Sequence, residues 1–154
     1  MAKASDERTT PKEFFDTLNS VFHFTLDAAA TKENTLCTAF WTMEDDGLKQ
    51  SWTESTFCNP PYSRGEIIRW VEKARAEYFS DGNYSVLILP SDVSTKWFEY
   101  AHKVCTTMYA KLGRLKFNGN ENLAKFGSLI TIFGYSDKEI TELASKIKGT
   151  WLKI

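Results

Sequence analysis

Histidine is almost missing from this chain: His23 and His102 are the only two among 154 residues. Neither has a neighbour suited to an acid–base relay, so both read as surface or packing residues. Cysteine is nearly as scarce, with Cys37, Cys58 and Cys105 widely spaced. An odd number without a CxxC pair argues against a disulfide framework and a zinc site, and for reduced cytosolic thiols. No apolar stretch nears the roughly 20 residues that a membrane span requires, and the N-terminus has no apolar leader segment. These absences predict a soluble, cytoplasmic protein that uses no metal and no membrane. Excess charge is lacking too: 19 basic residues face 20 acidic ones, for a net charge of -1. That balance excludes a strongly basic nucleic-acid coat, and any contact with nucleic acid must come from a local patch. Repeats and low-complexity segments are also absent. What remains is 42% hydrophobic residues in a chain long enough to bury one core. A flexible tail is expected over 1–8 and a single domain over 9–154.

Hydrophobic periodicity predicts alternating strands and helices. Thr10-Pro11-Lys12-Glu13 reads as a capping box with proline at the first helical position, opening a helix over about 11–21 that carries Phe14, Leu18 and Val21. A short strand follows over Phe24 to Asp27 and stops in Ala28-Ala29-Ala30, small residues that let a backbone come close to a ligand. Another strand is expected around Ala39 to Thr42, with a turn at Asp46-Gly47. Strand 56–58 leads into a helix over about 65–79, with Ile67, Val71, Ala74 and Tyr78 on one face and Ile68 widening it. Val86-Leu87-Ile88-Leu89 is a continuous apolar run, the pattern of a central parallel strand covered on both faces. Then come a helix capped by Ser94 with Trp97, Ala101 and Val104 sharing a face, and a strand near Thr107 to Ala110. A turn and short strand between Gly113 and Gly119, a strand over Ser128 to Phe133, and a terminal helix opened by the capping box Ser136 to Glu139 complete the chain. The expected architecture is a compact, doubly wound α/β sheet, mostly parallel, with helices on both faces. In such sheets ligands bind at the carboxyl ends of strands, where both Asp27 and Asn59 fall.

The segment Asn59-Pro60-Pro61-Tyr62 carries the chemistry. An exocyclic amine on an aromatic ring is a poor nucleophile, because its lone pair is delocalised. The Asn59 side-chain oxygen and the Pro60 carbonyl can each accept one of its N–H groups, favouring a pyramidal nitrogen whose lone pair points at an electrophile. Tyr62 offers a flat face for the ring, a contact worth about 1–3 kcal/mol. Neither a metal nor a covalent nucleophile is needed. The bland reading, a rigid turn rich in proline, loses ground because the tetrapeptide sits between a strand end and a well-patterned helix.

The chain resembles the phage-type, Dam-like DNA N6-adenine methyltransferases. The shared elements are Thr10-Pro11, Phe24-Thr25-Leu26-Asp27-Ala28-Ala29, Asp45-Asp46-Gly47-Leu48 with Trp52, Phe57-Cys58-Asn59-Pro60-Pro61-Tyr62, Trp70-Val71-Glu72-Lys73-Ala74 and Gly113-Arg114-Leu115-Lys116-Phe117. The resemblance implies a Rossmann-like class I methyltransferase using S-adenosylmethionine to methylate the N6 amine of an adenine flipped out of double-stranded DNA. It makes Asn59, Pro60 and Tyr62 the catalytic residues, and Thr10, Pro11, Asp27, Ala28, Asp46 and Asn59 the donor-binding ones. Asp27 would face the cationic methionine amino group, and an acid among Glu44, Asp45 and Asp46, with Asp46 preferred, the ribose hydroxyls or adenine amine. Ala28 to Ala30 stand where larger methyltransferases have a glycine-rich turn. If the gene is phage-borne, the compartment is the cytoplasm of the host, and restriction–modification is the implied setting.

Basic residues for phosphate contacts are Arg64, Lys111, Arg114, Lys116 and Lys125, with Arg69 a further candidate. The stretch Lys111 to Lys125 interleaves them with Leu115, Phe117 and Phe126, as a nucleic-acid surface does, although a solvated loop has the same composition. Thr10-Pro11 equally suits a plain helix start, and the acidic trio a charged surface turn. Two other functions keep the same tetrapeptide: methylation of another planar nitrogen, in an RNA base or a protein glutamine amide, and DNA binding by a relative that has lost turnover.

Overall fold

The computed structural model describes residues 9–117 and 123–154. The expected tail over 1–8 and the break at Gly119 lie outside the described residues. Helix α1 (Lys12–Phe22) buries Phe14, Phe15, Leu18, Val21 and Phe22 along one side and ends at His23, whose φ of 54° turns the chain out of the helix. Pro11 is the N-cap rather than the first helical residue, and no side chain caps this end. The Thr10 hydroxyl is engaged elsewhere, so the expected capping box does not form. Strand β1 is short (Leu26–Asp27), and β2 (Ser55–Cys58) is buried throughout. Helix α2 (Glu66–Asp81) stops at Gly82, where φ is 68°. Its buried face carries Ile67, Val71 and Ala74 as expected, together with Trp70, whereas Ile68 is exposed.

Strand β3 (Tyr84–Pro90) is the apolar run, and α3 (Lys96–Val104) follows it. The cap of α3 is Thr95, which accepts from Phe98 N at 3.2 Å; Ser94 instead donates to Asp92 Oδ1. Strands β4 (Thr107–Lys111) and β5 (Ser128–Phe133), helix α4 (Asp137–Lys146) and a strand β6 (Gly149–Lys153) complete the described chain. No side chain caps α4 either; the Ser136 hydroxyl meets the Glu139 carboxylate directly. The expected strand over Ala39 to Thr42 reduces to one bridge between Phe40 and Asp27.

The strands form one open six-stranded sheet in the order β1-β2-β3-β5-β4-β6. β1, β2 and β3 are parallel neighbours, whereas β3–β5, β5–β4 and β4–β6 pair antiparallel. The sheet is therefore mixed, not mostly parallel. No described helix separates β4 from β5, so the chain returns beside the strand it has just left, whereas β6 follows α4 and pairs with β4 rather than β5. Strand β3 is central, but only one of its two neighbours runs parallel to it.

Helices cover both faces, as the patterning required. Phe57, Val86, Ile88, Ile130 and Ile132 face α1 and α4, while Cys58, Leu87, Leu89, Leu129 and Phe133 face α2 and α3. The alternation along β2, β3 and β5 divides one hydrophobic strand between two cores. Because β1, β2, β3 and β4 all point the same way, their carboxyl ends share one edge. Asp27, the turn after Cys58, Pro90 and Lys111 meet there.

Candidate active site

Asp27 closes β1 and is 4% exposed. Its Oδ2 accepts from Leu36 N at 3.5 Å, and among the described residues its Oδ1 has no hydrogen-bond partner. Burial pushes its carboxyl pKa up to about 6, against the lowering effect of the Leu36 and Ala29 backbone N–H groups. A buried carboxylate with an unused oxygen is suited to a cation. The neighbouring thiols are inert: burial and then the charge of Asp27 push Cys37 up to about 12 and Cys58 well above its ordinary value.

The backbone beyond Asp27 runs on beside β2, with Ala28 N bonded to Phe57 O at 2.9 Å. Here Ala28 to Ala30 line a cavity of about 610 Å³. Asp46, Gly47 and Leu48 form another part of its wall. Gly47 is required there by space, because a Cβ on it would lie 2.2 Å from Ala28 O. Asp46, at φ 61°, makes the turn, and its Oδ1 accepts from Leu48 N at 3.1 Å. The neighbouring Asp45 is exposed; its carboxylate is held below its ordinary pKa by hydrogen bonds from the Thr42 backbone and hydroxyl. Glu44 also reaches the cavity, Asp45 does not.

Asn59, one residue past β2, lines the same cavity and is 7% exposed. Its Nδ2 donates to Thr10 Oγ1 at 3.0 Å, which fixes the amide plane. Thr10 is thus part of the site through Asn59, while Pro11 sets the start of α1 without lining the cavity. Pro60 is buried. Tyr62 lies outside the cavity wall: its hydroxyl donates to Ile88 O at 2.6 Å, and its ring meets Phe126 edge-on at 5.7 Å. The bond to β3 fixes the plane of the tyrosine ring beside the strand ends.

The structure brings Ala28, Asp46 and Asn59 to one cavity and ties Thr10 to it through Asn59, whereas Asp27 does not line it and sits one residue before Ala28. Of the basic candidates Arg69 lines the cavity, whereas Arg64, Lys111, Arg114, Lys116 and Lys125 do not. Arg64, Arg114, Lys116 and Lys125 are exposed, and Lys111 Nζ donates to Leu112 O at 2.9 Å. Burial lowers the pKa of Lys111. Lys111 ends β4 at the edge of the sheet that carries the strand ends, and Phe126 meets Tyr62. Leu115 and Phe117 do not belong to an interaction surface: both are buried against the α1 and α4 core, with Phe126 partly buried beside them. An apolar residue between lysines has the same composition whether it faces solvent or core.

Sequence reasoning did not find Glu66, Arg69 and Trp70 as wall residues of the cavity. Glu66 is 7% exposed and pairs with Arg69 at 3.0 Å in the first turn of α2. The signal was present as an acid and a base three apart at the start of the helix that follows the Asn-Pro-Pro-Tyr turn. Among the described residues no group of three or more His, Cys, Asp or Glu is placed to hold a metal ion, and no helix is long and apolar enough to cross a membrane.

The chain is a mixed α/β protein whose cavity lies at the carboxyl ends of parallel strands, where α/β proteins commonly bind their ligands. A model of the DNA N-6-adenine-methyltransferase (Dam) family matches residues 1–145, and the chain belongs to that family. It is similar to the DNA N-6-adenine-methyltransferase of Escherichia phage T1, with 34% identity over 131 residues, 73% of this chain and 54% of the relative. It is also similar to the putative methyltransferase YfdM of Escherichia coli strain K12, with 33% identity over 70 residues, 40% of this chain and 77% of the relative. The chain therefore spans about half the length of the phage relative.

Proposed function

We propose that this protein transfers a methyl group from S-adenosylmethionine to the N6 amine of an adenine flipped out of double-stranded DNA. The observation that carries the reading is Asn59, held by Thr10 on the wall of the cavity that Ala28 and Asp46 also line. In the family context the fold is a compact class I methyltransferase, with the parallel strands β1 to β3 presenting the site.

The residues present fit the donor. The unused Oδ1 of Asp27, buried one residue before the wall residue Ala28, suits its methionine ammonium group, and Asp46 on the cavity wall is an acceptor for its ribose or adenine. Ala28 keeps the wall low enough for close approach, and Pro11 supports Thr10. S-adenosylmethionine supplies an electrophilic methyl carbon on a sulfonium. Asn59 Oδ1 and the Pro60 carbonyl each accept one N–H of the adenine amine, which withdraws the nitrogen lone pair from the ring and aims it at that carbon. The proton released after transfer leaves to water, so no histidine is needed. Tyr62, fixed through Ile88, stacks on the extruded base and returns part of the few kcal/mol that flipping costs. Arg64, Lys111, Arg114, Lys116 and Lys125 contact phosphates; the site edge from which Lys111 to Lys125 leave β4 supports this placement.

Labelled donor offered separately with duplex DNA, RNA and glutamine-containing protein tests the reading. Label is expected in DNA adenine alone, and Asn59→Ala should lower the single-turnover rate by about 10²–10³-fold. Label confined to RNA or protein would overturn the substrate, and an inactive wild type would leave a binding module.

A further inference from the structure

Trp52 is 4% exposed and does not line the cavity, yet it joins the cavity wall to the far end of α2. On one side its indole Nε1 donates to Gly47 O at 3.0 Å. On the other its backbone N donates to Glu77 Oε1 at 3.2 Å, and its backbone O accepts from Asn83 Nδ2 at 3.1 Å. Glu77 is itself buried at 7% exposure, and it also accepts from Lys73 Nζ at 2.8 Å and from Asn83 Nδ2 at 2.9 Å. Burial opposes its ionisation, but these donors together hold its pKa below the ordinary value. The Trp52 ring stacks on Trp70 at 6.4 Å, and Trp70 forms part of the cavity wall.

Gly47 has contacts on its other side as well. A Cβ there would meet Ala28 O at 2.2 Å and the Trp70 ring at 3.1 Å, so the turn is pressed against the end of β1 with no slack. A turn in this position needs a force holding it inward, because residues 43–45 beside it are exposed. The indole N–H supplies that force at Gly47, the one residue of the turn whose carbonyl it reaches.

We infer that Trp52, anchored by Glu77, is a positioning residue that holds the Asp46-Gly47 turn against Ala28 and so sets the shape of the donor cavity. The inference rests on the methyl-transfer reading given above, since it concerns the ligand of the same cavity. Trp52 touches no ligand in this scheme. It acts through Gly47, and Glu77 acts through Trp52.

Trp52→Phe retains an aromatic ring against Trp70 and removes the N–H. The KM and calorimetric Kd for S-adenosylmethionine are expected to rise about 5–10-fold, the worth of one buried hydrogen bond, with kcat at saturating donor within about twofold of wild type. Glu77→Ala, remote from the cavity, should show the same split, and Glu77→Gln, which keeps an acceptor for Trp52 N, should restore most of the affinity. Hydrogen exchange is the readout that needs no donor: in Trp52→Phe, protection should fall in peptides covering 42–50 while β3 and β5 stay protected. Unchanged affinity together with unchanged exchange over 42–50 would overturn the inference, as would loss of the whole sheet in both Trp52→Phe and Glu77→Ala. A wild type that binds no donor would instead overturn the methyl-transfer reading, and the exchange measurement would still decide whether Trp52 holds the turn.

Discussion

A carboxyl group with a pKa of about 6 weakens its own fold whenever it is ionised, and Asp27 is such a group. Its folded pKa lies above the ordinary value of 3.8, so the native state binds the proton more tightly than the unfolded chain does. The contribution to stability is fully present below pH 3.8 and is lost as pH rises through about 6. The difference corresponds to about 3 kcal/mol. Asp27→Asn is therefore expected to be at least as stable as wild type at pH 7.5 in urea titrations, with the gap narrowing toward pH 5, while calorimetry at pH 7.5 shows donor binding lost. A variant that keeps wild-type donor affinity would remove Asp27 from the proposed site. Residue chemistry of this kind was legible in part. Asp27 and Asn59 were expected at strand ends, and both lie there, but nothing in their spacing told that Thr10 would bond Asn59 instead of capping α1. A hydroxyl before a proline looks the same in either role, and only the folded chain brings residues 10 and 59 together.

Among the elements, the Asp46-Gly47 turn shows how local chemistry and tertiary contact divide the work. The Asp-Gly pair predicted a turn, and Asp46 occupies the left-handed region with φ 61°. Gly47 itself needs no positive φ. It is glycine because Ala28 O and Trp70 leave no room for a Cβ. Gly47→Ala must therefore push the turn away from β1. A loss of about 1–3 kcal/mol in thermal or urea denaturation is expected, with weaker donor binding. Wild-type stability and affinity in this variant would mean that the turn yields freely. Strands β3 and β5 were legible because unbroken apolar runs bounded by turn residues have few other uses. β6 was not legible: Gly149 to Lys153 are half-buried or exposed, and an edge strand carries no clear alternation.

At the scale of the whole molecule, a net charge of -1 leaves the proposed DNA binding to a local patch. Arg114 and Lys116 are exposed and follow the end of β4, and they are the proposed phosphate contacts. Replacing Lys116 by Gln should weaken binding to all duplexes alike and reduce the slope of log K against log salt by about 1. A changed sequence preference with an unchanged slope would assign Lys116 to base contact instead. The mixed sheet belongs to this scale too. Expecting a mostly parallel sheet followed from alternating strands and helices, but β5 inserts antiparallel between β3 and β4.

By itself the sequence determined the alternation of elements, the two-sided burial of β3 and the Asn-Pro-Pro-Tyr turn between a strand and a helix, because hydrophobic period and proline geometry act over a few neighbouring residues. Only the tertiary structure decided that Ala28, Asp46 and Asn59 meet at one cavity with Thr10 bonded to Asn59, that Leu115 and Phe117 face the core, and that β5 runs against β3. Those facts depend on which distant segments share the space at the end of the sheet, and a pattern read along the chain holds no information about that space until the cores on both faces have closed.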